Sequence, residues 1–576
     1  QNEIMFIGDD GDNNSHMSNI NACAEDVINN KPGYNVKKVM LDAYELKGTA
    51  TGNTYPEATA AVKKQQNDGA LIMNYGGHAS WTLLSHEKLL MLSDFAKFKG
   101  SNYSLWFTAG CETVPFDGMA TTLGETALLN PDGGAVAFVG TVRTVLETMN
   151  AKMNIAFMRH VLRYDSDGAP LTVGEALRQA KNDLVTGSTS VGTDLSINKH
   201  HYVIIGDPAM RLALPKYKAV IDQINDLHVN NDGDDTEQLK GNSVVNVRGH
   251  IVSHDYSTDI TDFNGTANIL VRDNKETIEC RNNNDEKEAY TYTDRPSTLY
   301  RGTCSVQNGQ FTFSFKMPRT INDNNLQGLI TMYAIDPRQH AAANGECDRF
   351  TTQGWEDTTN DLIGPSIHAY LNSPTFTNGD AVGYMPFFAV ELSDRDGINA
   401  TGSPIGHNME LVIDGDASRT YDLNDNFQFD SGSYTSGQTY YVIPELSPGS
   451  HSLSFKAWDL LGNSNTVSLS FRVVKGLKPE IADVNVAPSI IKDAATFYVT
   501  HDMRGSRASV CIDIIDPSGR IVDVLTWDDV LSESSPTTTF RWTPSGISRG
   551  LYLYRVRLSC NGSDYVSKTK KLIISQ

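Results

Sequence analysis

The stretch ALIMNYGGHAS, residues 70–80, sets the fold of the first part of the chain. Its short, almost continuously apolar run predicts a strand that is buried on both faces. Gly76 and Gly77 then break the strand, and His78 follows them directly. An open α/β sheet places its functional site at the carboxyl ends of its strands. The stretch therefore predicts a buried strand that delivers an imidazole to such a site.

Similar apolar runs and helical patterns alternate through the first 213 residues, which predicts a doubly wound α/β sheet. The other apolar runs are IMFIG (4–8), SLWFTA (104–109), AVAFVG (135–140) and YVIIGD (202–207). The helical patterns are ACAEDVINN (22–30), YPEATAAVKKQQ (55–66), HEKLLMLSDFAKF (86–98), NAKMNIAFMRHVLR (150–163) and VGEALRQAKNDLV (173–185).

The pattern changes after about residue 216, where helical periodicity gives way to alternating strands such as VVNVRGHIV and SLSFKAWD. Such runs, bounded by Gly, Asn, Asp and Pro, predict tandem all-β sandwiches. Glycine and proline interrupt the strands in LIGPSIHAY and VVKGLKPEI, which indicates domain boundaries there. The predicted domains are the α/β domain at 1–215, a β-sandwich at 216–362, an immunoglobulin-like β-sandwich at 363–477 and a last β-sandwich at 478–576.

Composition bounds the class of protein. A chain of 576 residues is too long for a single core. The net charge of −21 argues against nucleic acid and anionic membranes as partners, and no apolar run is long enough to span a bilayer. The opening QNEIMFIGDD lacks the features of a signal peptide. We expect the sequence to be the carboxyl-terminal part of a longer protein.

The seven cysteines contain no CxxC pair, which argues against a zinc ribbon or a thioredoxin motif. Cys280 with Cys304, and Cys511 with Cys560, are candidate disulfides if the compartment is oxidising.

A second strand end carries a thiol. SLWFTAGC ends in Cys111, 33 residues after His78. Taken singly, a histidine after a strand is usually a loop residue and a buried cysteine is usually inert. Together at neighbouring strand ends they form the pair that thiol catalysis requires, with the imidazole taking the thiol proton. The backbone N–H groups of Ala79 and Cys111 are candidates for an oxyanion hole.

An acidic loop, IGDDGDNNSH (7–16), follows the first strand at the same sheet edge. A catalytic imidazole often needs an acid on its other nitrogen, and we predict Asp10 for that role. The alternatives are a solvated turn or a calcium loop of hard oxygen ligands, with Asp9 and Asp12 as candidate ligands. The residues predicted to line the substrate cleft are Gly77, Glu112, Phe116, Asp117, Thr141, Val142 and Arg143.

The segments NYGGHAS (74–80) and FTAGCETVPFDG (107–118) resemble the gingipain-type cysteine peptidases, family C25 of the caspase-like clan. The similarity continues through 124–145 and 198–215 and includes the Gly-Asp-Pro motif at 206–208. The resemblance implies a caspase-like peptidase domain with Cys111 as nucleophile, His78 as its partner and no required cofactor. Ala79 stands where this clan commonly has glycine.

The end of the chain is similar to the C-terminal sorting domains of type IX secretion. The shared pattern is the turn DPSGR at 516–520, Trp542, GLYLY at 550–554 and KKLII at 570–574. The segment VNVAPSII departs from the Tyr-Pro-Asn-Pro-like start that such domains often carry. A C25-type domain, β-modules and a retained sorting domain together resemble the sortase-type C-terminal signal peptidases of this secretion system.

That resemblance implies a cell-surface enzyme held by an outer-membrane β-barrel partner that binds the last domain. It would cleave sorting domains from exported cargo and pass the acyl group to anionic lipopolysaccharide or to water. Two alternatives stay open: a secreted, gingipain-like general endopeptidase and a non-catalytic surface scaffold. The His/Cys pair argues against the scaffold, and the retained last domain argues against a free secreted protease.

Overall fold

The structure is a computed structural model of the chain. It describes residues 2–50, 52–100, 102–187, 189–229, 235–402, 406–474, 481–492, 494–501, 503, 507–530, 537–544, 546–560 and 563–575. The boundary predicted between 477 and 478 lies outside the described residues.

The first domain is built on one six-stranded sheet. Its strands and helices, in chain order, are β1 (Glu3–Gly8), α1 (Ser15–Asn30), β2 (Asn35–Met40), β3 (Lys47–Thr49), β4 (Gly52–Thr54), α2 (Pro56–Asp68), β5 (Ile72–Gly76), β6 (Leu83–Leu84), β7 (Leu90–Met91), α3 (Leu92–Phe95), β8 (Ser104–Ala109), α4 (Leu123–Leu129), β9 (Ala135–Thr141), α5 (Glu147–Val161), α6 (Val173–Thr186) and β10 (Tyr202–Ile205). The sheet order is β2-β1-β5-β8-β9-β10, parallel except for β10 at the edge.

Helices cover both faces of this sheet. Ile4 and Phe6 of β1 pack on the side of α1, α5 and α6, while the alternate residues Met5 and Ile7 pack on the side of α2, α3 and α4. This alternation explains why the strand is apolar throughout. The predicted α/β domain followed by a β-rich chain is confirmed.

Two local predictions for this domain fail. Strand β2 was not predicted, because its sequence NVKKVM carries two lysines; one of them, Lys38, is buried against Glu25 at 2.5 Å. The segment 86–98, predicted as a helix, instead contributes part of the β6–β7 hairpin and the four-residue α3. Ser85 and Lys88 have φ of 65° and 56° in the hairpin loop, a left-handed backbone that cannot continue a helix.

The second region forms a sheet that closes on itself. Its strands are β11 (Tyr217–Ile224), β12 (Leu227–His228), β13 (Glu237–Gly241), β14 (Val244–Ser253), β15 (Gly265–Arg272), β16 (Glu276–Glu279), β17 (Thr291–Asp294), β18 (Thr298–Gln307), β19 (Gln310–Lys316), β20 (Leu329–Asp336), β21 (Ala341–Cys347) and β22 (Phe350–Trp355). The order β12-β11-β14-β19-β18-β15-β20-β21 is closed by pairing of β21 with β11. A sandwich was predicted here, but closure removes the free sheet edges that a sandwich retains.

The third region has two sheets, β23-β25-β29-β28 and β24-β31-β30-β26-β27. Most of its buried hydrophobic residues form one cluster with those of the second region, and Tyr370, Phe387 and Ala389 form a small separate cluster. Its strands are β23 (Ser366–Leu371), β24 (Ala381–Val382), β25 (Phe387–Ser393), β26 (Glu410–Ile413), β27 (Thr420–Asp422), β28 (Gln428–Phe429), β29 (Ser436–Val442), β30 (Gly449–Trp458) and β31 (Ser464–Val473).

The last region also has two sheets, of three and six strands, around a core of its own. Its strands are β32 (Ile481–Ala487), β33 (Ile490–Ile491), β34 (Ala495–His501), β35 (Arg507–Ile515), β36 (Ile521–Val530), β37 (Thr537–Trp542), β38 (Gly550–Cys560), β39 (Ser563–Val566) and β40 (Lys570–Ile574). No helix among the described residues combines the length and apolarity needed to cross a membrane.

Strands β16 and β17 form a hairpin that packs on the first domain, and we call it the docking hairpin. Cys280 and Tyr292 are buried in the core that β1 and α1 build. The backbone N–H of Asn283 donates to the buried Asp42 carboxylate at 2.7 Å. The first and second regions are therefore joined by a shared core and not only by the chain between them.

All seven cysteines are free thiols. Cys280 packs in the core of the first domain, whereas Cys304 packs in the core of the second region. In the last region, Cys511 lies opposite Arg557 and Cys560 opposite Ala508, so the two thiols are offset along the ladder. Neither candidate disulfide is formed.

Candidate active site

The register of the sheet brings His78 and Cys111 to neighbouring positions. In the β5–β8 pair, Gly76 lies opposite Ala109, and each candidate residue comes two positions later. Adjacent strands are about 4.8 Å apart. On the other side of β5, Gly8 of β1 also lies opposite Gly76. The loop that follows β1 therefore starts at the same edge of the sheet as the loops that carry His78 and Cys111.

Two glycines allow these strand ends to pack closely. A Cβ at Gly77 would lie 2.1 Å from the Asp9 Cβ, and one at Gly110 would lie 2.8 Å from the Ala79 Cβ. Neither distance is compatible with a larger side chain in the same backbone. The loops that follow β1, β5 and β8 are therefore in backbone contact.

Asp12 lies against the imidazole of His78. Its Oδ2 is 2.9 Å from His78 Nε2, an ion-pair distance. Among the described residues, no aligned hydrogen bond reaches either ring nitrogen of His78. The Asp12 carboxylate therefore faces the Nε2 side of the ring, which leaves the Nδ1 side for a thiol.

Asp12, and not the predicted Asp10, occupies the orienting position. Asp10 Oδ2 accepts hydrogen bonds from Tyr55 Oη at 2.6 Å and from Asn284 Nδ2 at 2.5 Å, which direct it away from the ring. Residues 11–14 all have φ between 50° and 75°. This left-handed run turns the chain sharply and brings Asp12 back over His78.

Two further histidines surround the His78 ring. His86 stacks on it with centroids 4.4 Å apart, and His16 meets it edge-on at 5.0 Å. His16 Nε2 also lies 3.3 Å from the Asp12 carboxylate. Burial, and then the charge of His78, lower the pKa of His16, which favours the neutral form. His78 is thus packed on two sides, while 37% of its side-chain surface stays exposed.

The backbone of His78 is fixed by buried groups. Its N–H donates to Asp9 Oδ2 at 2.8 Å, and its carbonyl accepts from Tyr75 Oη at 2.5 Å. Asp9 is 1% exposed and Tyr75 is fully buried. Buried hydrogen bonds of this kind define the position of a loop more strongly than exposed ones.

The thiol of Cys111 contacts the backbone of Val145, which follows β9. Cys111 Sγ lies 3.5 Å from the Val145 nitrogen and 3.6 Å from its oxygen. Both distances are at the weak end for sulfur. No hydrogen bond joins Sγ to His78 among the described residues. Such bonds often form only when substrate is bound.

Two backbone donors at the site have no partner in the described part of the chain: the N–H groups of Ala79 and Cys111. The neighbouring groups do have partners, since Ser80 N–H donates to Leu83 and Glu112 N–H to Arg143. Glu112 has φ of 49°, which turns the chain directly after Cys111. Two unpartnered donors beside a nucleophile are what an oxyanion hole requires.

The predicted cleft residues divide into two groups. Gly77 and Thr141 are buried, and Thr141 Oγ1 donates to the Gly110 carbonyl at 2.5 Å, so both support the backbone and do not line a cleft. The others are at least partly exposed around Cys111. Arg143 forms a bidentate pair with Asp117 at 2.5 and 3.0 Å. The exposed or partly exposed group is Glu112, Phe116, Asp117, Val142 and Arg143.

The predicted calcium ligands Asp9 and Asp12 belong to two separate clusters. Asp12 groups with the two histidines His16 and His78, whereas Asp9 groups with other carboxylates. No single cation among oxygen ligands would join Asp9 to Asp12 in this arrangement.

Sequence reasoning did not single out His16, His86 or Val145 as parts of the site. His16 could have been found, because it lies four residues after Asp12 at the start of α1. His86 gave no signal because the segment 86–98 was interpreted as a helix, which would not place it beside His78. Val145 contributes only backbone atoms, for which the residue type gives no signal.

Residues 1–213 match the model of peptidase family C25, so the first domain belongs to this family of cysteine peptidases. No curated protein matches the chain.

The solved structures that are similar to this chain include the following two. One is dimeric latent PorU from Porphyromonas gingivalis, at 30% identity over 77% of this chain, with a TM-score of 0.35. The other is the Arg-specific cysteine proteinase gingipain R, at 13% identity over 61% of this chain, with a TM-score of 0.30. The chain spans 41% of the length of the first and 66% of the second.

Proposed function

We propose, from the C25 family of the first domain and the geometry at its sheet edge, that this chain is the catalytic part of a cell-surface cysteine peptidase of the sortase type. The observation that carries the proposal is the shared register of His78 and Cys111, each two residues beyond the paired Gly76 and Ala109. Asp12 on the far nitrogen of His78 supports it.

The chemistry follows from these groups. His78 takes the proton of Cys111, and the thiolate attacks the carbonyl carbon of a scissile peptide bond. The oxyanion that forms is stabilised by the N–H groups of Ala79 and Cys111. The C–N bond breaks as His78 returns the proton to the leaving amine, which leaves a thioester on Cys111. An incoming amine or water then attacks the thioester and releases the thiol.

The proposed substrates are exported proteins that end in a type IX C-terminal sorting domain. The proposed acyl acceptors are an amine of anionic lipopolysaccharide and water. Support comes from the last region, which is a two-sheet β-domain that carries the sorting-type sequence pattern. We further propose that an outer-membrane β-barrel partner binds this region and holds the enzyme at the cell surface. No cofactor takes part in the reaction.

The test replaces Cys111 by alanine in the producing cell and determines the carboxyl termini of exported proteins by mass spectrometry. The matched control is Cys511→Ala, a second partly exposed thiol that lies in the last region. We expect Cys111→Ala cells to accumulate cargo that retains its sorting domain and lacks glycolipid, while Cys511→Ala cells process cargo normally.

Two other outcomes would overturn the sortase proposal in different ways. If cargo is processed normally but purified protein cleaves unrelated peptides through Cys111, the chain is a general endopeptidase. If Cys111→Ala cells process cargo normally, and the purified unaltered and Cys111→Ala proteins do not differ in peptide cleavage, the first domain acts as a scaffold.

A further inference from the structure

Asp12, His16 and His78 form a cluster of three metal-ligating side chains at the active site. One ligand atom of each residue lies within 4.8 Å of those of the other two. Asp12 Oδ2 is 2.9 Å from His78 Nε2 and 3.3 Å from His16 Nε2. One carboxylate oxygen thus lies close to two imidazole nitrogens.

The Nε2 atom of His16 is the feature of this cluster that points to a ligand. His16 is only 8% exposed, and its Nε2 is buried without a hydrogen-bond partner among the described residues. Its contact with Asp12 is therefore not an aligned hydrogen bond. A buried polar atom without a partner is costly, and an apolar ring could pack at this position without that cost. The nitrogen would gain a partner if it bound a cation.

The spacing of these atoms fits a zinc site. Zn²⁺ binds imidazole nitrogen at about 2.0–2.1 Å and carboxylate oxygen at about 2.0–2.2 Å in a tetrahedral arrangement, so neighbouring ligand atoms are about 3.3–3.5 Å apart. The two contacts of Asp12 Oδ2, at 2.9 and 3.3 Å, are close to that separation. Ligand atoms point at the ion and not at one another, so such contacts need not be aligned hydrogen bonds.

We propose that Asp12, His16 and His78 bind Zn²⁺, and that the bound ion inhibits the peptidase by taking His78 out of catalysis. Two imidazole nitrogens and one carboxylate favour Zn²⁺ over the harder ions Ca²⁺ and Mg²⁺. The side chains of His78 and Asp12 are 37% and 56% exposed, so the ion can enter from solvent and take water as its fourth ligand.

Inhibition follows from the position of the proton on His78. When Zn²⁺ occupies Nε2, the neutral ring carries its proton on Nδ1, the side that is left for the thiol. A protonated nitrogen cannot accept the proton of Cys111, so the general base is lost. Cys111 itself is not a ligand of the ion. The inhibition rests on the proposed function, whereas the metal site rests on the geometry of the three ligands alone.

Binding is measured on the full chain with Cys111→Ala, so that this thiol cannot act as a ligand and no activity is needed. Calorimetric titration with Zn²⁺ gives the affinity, and the visible absorption of Co²⁺ in the same protein reports tetrahedral coordination. We expect saturable binding that His16→Phe weakens at least about tenfold, because loss of a residue that only supports a ligand already costs about 10–100-fold. Phenylalanine keeps a ring that can pack edge-on against His78.

His250→Phe is the matched control. His250 lies 2.7 Å from Asp222 and 3.4 Å from Asp259, so it is a second histidine with carboxylate neighbours, in the second region. Its replacement should change neither the Zn²⁺ affinity nor the Co²⁺ absorption. With Cys111 present, Zn²⁺ should inhibit peptide cleavage and a chelator should restore it. His16→Phe should then need at least about tenfold more Zn²⁺ for the same fractional inhibition.

Equal Zn²⁺ affinities of Cys111→Ala and of the double variant with His16→Phe would overturn the proposal, as would the absence of saturable binding. Equal inhibition with and without His16 would also overturn it and would place the inhibitory ion on the thiol. A protein that binds Zn²⁺ through His16 but cleaves no peptide would refute the proposed function and the inhibition, while confirming the metal site. If His16→Phe does not fold, His16→Gln replaces it.

Discussion

The histidine side and the cysteine side of the site are held by different kinds of interaction. His78 is fixed by the buried groups Asp9 and Tyr75, by Asp12 and by two packed histidine rings. On the cysteine side, the buried Thr141 holds the Gly110 carbonyl, but the Cys111 thiol itself has only the long contacts to Val145 among the described residues, and the ion pair of Arg143 with Asp117 is exposed. The side chain of the general base is therefore held by more contacts than the side chain of the nucleophile.

This difference fits the separate roles of the general base and the nucleophile. The position of a general base must be defined before substrate arrives, because proton transfer requires a close and oriented contact. The nucleophile must also come within about 3–3.5 Å of the scissile carbonyl carbon, and a thiol with few contacts can reach that position when substrate binds. Substitutions of the residues that support His78 should therefore be more damaging than substitutions of the residues that surround Cys111.

The largest effect is expected for Asp12→Asn. Asparagine tolerates the left-handed backbone at this position, where φ is 50°. It carries no negative charge, however, and so cannot stabilise the protonated His78 ring as Asp12 does. We expect kcat to fall about 10²-fold with KM unchanged. In a His78→Ala background the same change should cause no further loss. An additive loss in the double variant would show that Asp12 does not act through His78.

The next effect is expected for Gly77→Ala. Its Cβ would lie 2.1 Å from the buried Asp9, which should destabilise the first domain by about 2–3 kcal/mol. Gly110→Ala, with its nearest contact at 2.8 Å, should cost less, and Gly48→Ala, at 3.8 Å, should cost nothing measurable. Hydrogen exchange of β5 checks this order. Equal exchange rates for Gly77→Ala and Gly110→Ala would contradict the proposed asymmetry.

A smaller effect is expected for Asn284→Ala in the docking hairpin. The change removes a donor from Asp10 and should reduce the stability of the loop after β1 by about 1 kcal/mol. The exposed Lys287, in the same loop of the hairpin, gives the control variant Lys287→Ala. Faster hydrogen exchange at residues 9–14 in Asn284→Ala alone is the expected result. Identical exchange in both variants would mean that the hairpin contact is not coupled to the site.

The smallest effect is expected for Arg143→Ala on the cysteine side. The pair with Asp117 is solvent-exposed, and such pairs are screened by salt and contribute little to stability. We expect the unfolding temperature of Arg143→Ala to equal that of the unaltered protein at both low and high salt. A large loss of stability in this variant would mean that the cysteine side is as rigidly held as the histidine side.

The strand pattern could be predicted from sequence because both His78 and Cys111 follow apolar runs at the same offset. Which carboxylate reaches His78 could not, because that depends on the left-handed turn at 11–14 and not on residue type. Strand β2 could not be predicted because its buried Lys38 is compensated by Glu25, which lies outside the strand's own sequence. Closure of the second region's sheet depends on pairing of β11 with β21, which periodicity does not encode.

The docking hairpin has a consequence for the timing of synthesis. Asn284 meets Asp10 across 274 positions of the chain, so the ribosome makes the loop after β1 long before it makes this partner in the hairpin. A nascent chain that has not yet reached the hairpin contains both His78 and Cys111 but lacks this support. The contact between the hairpin and the loop after β1 can therefore form only once about half of this sequence has been translated.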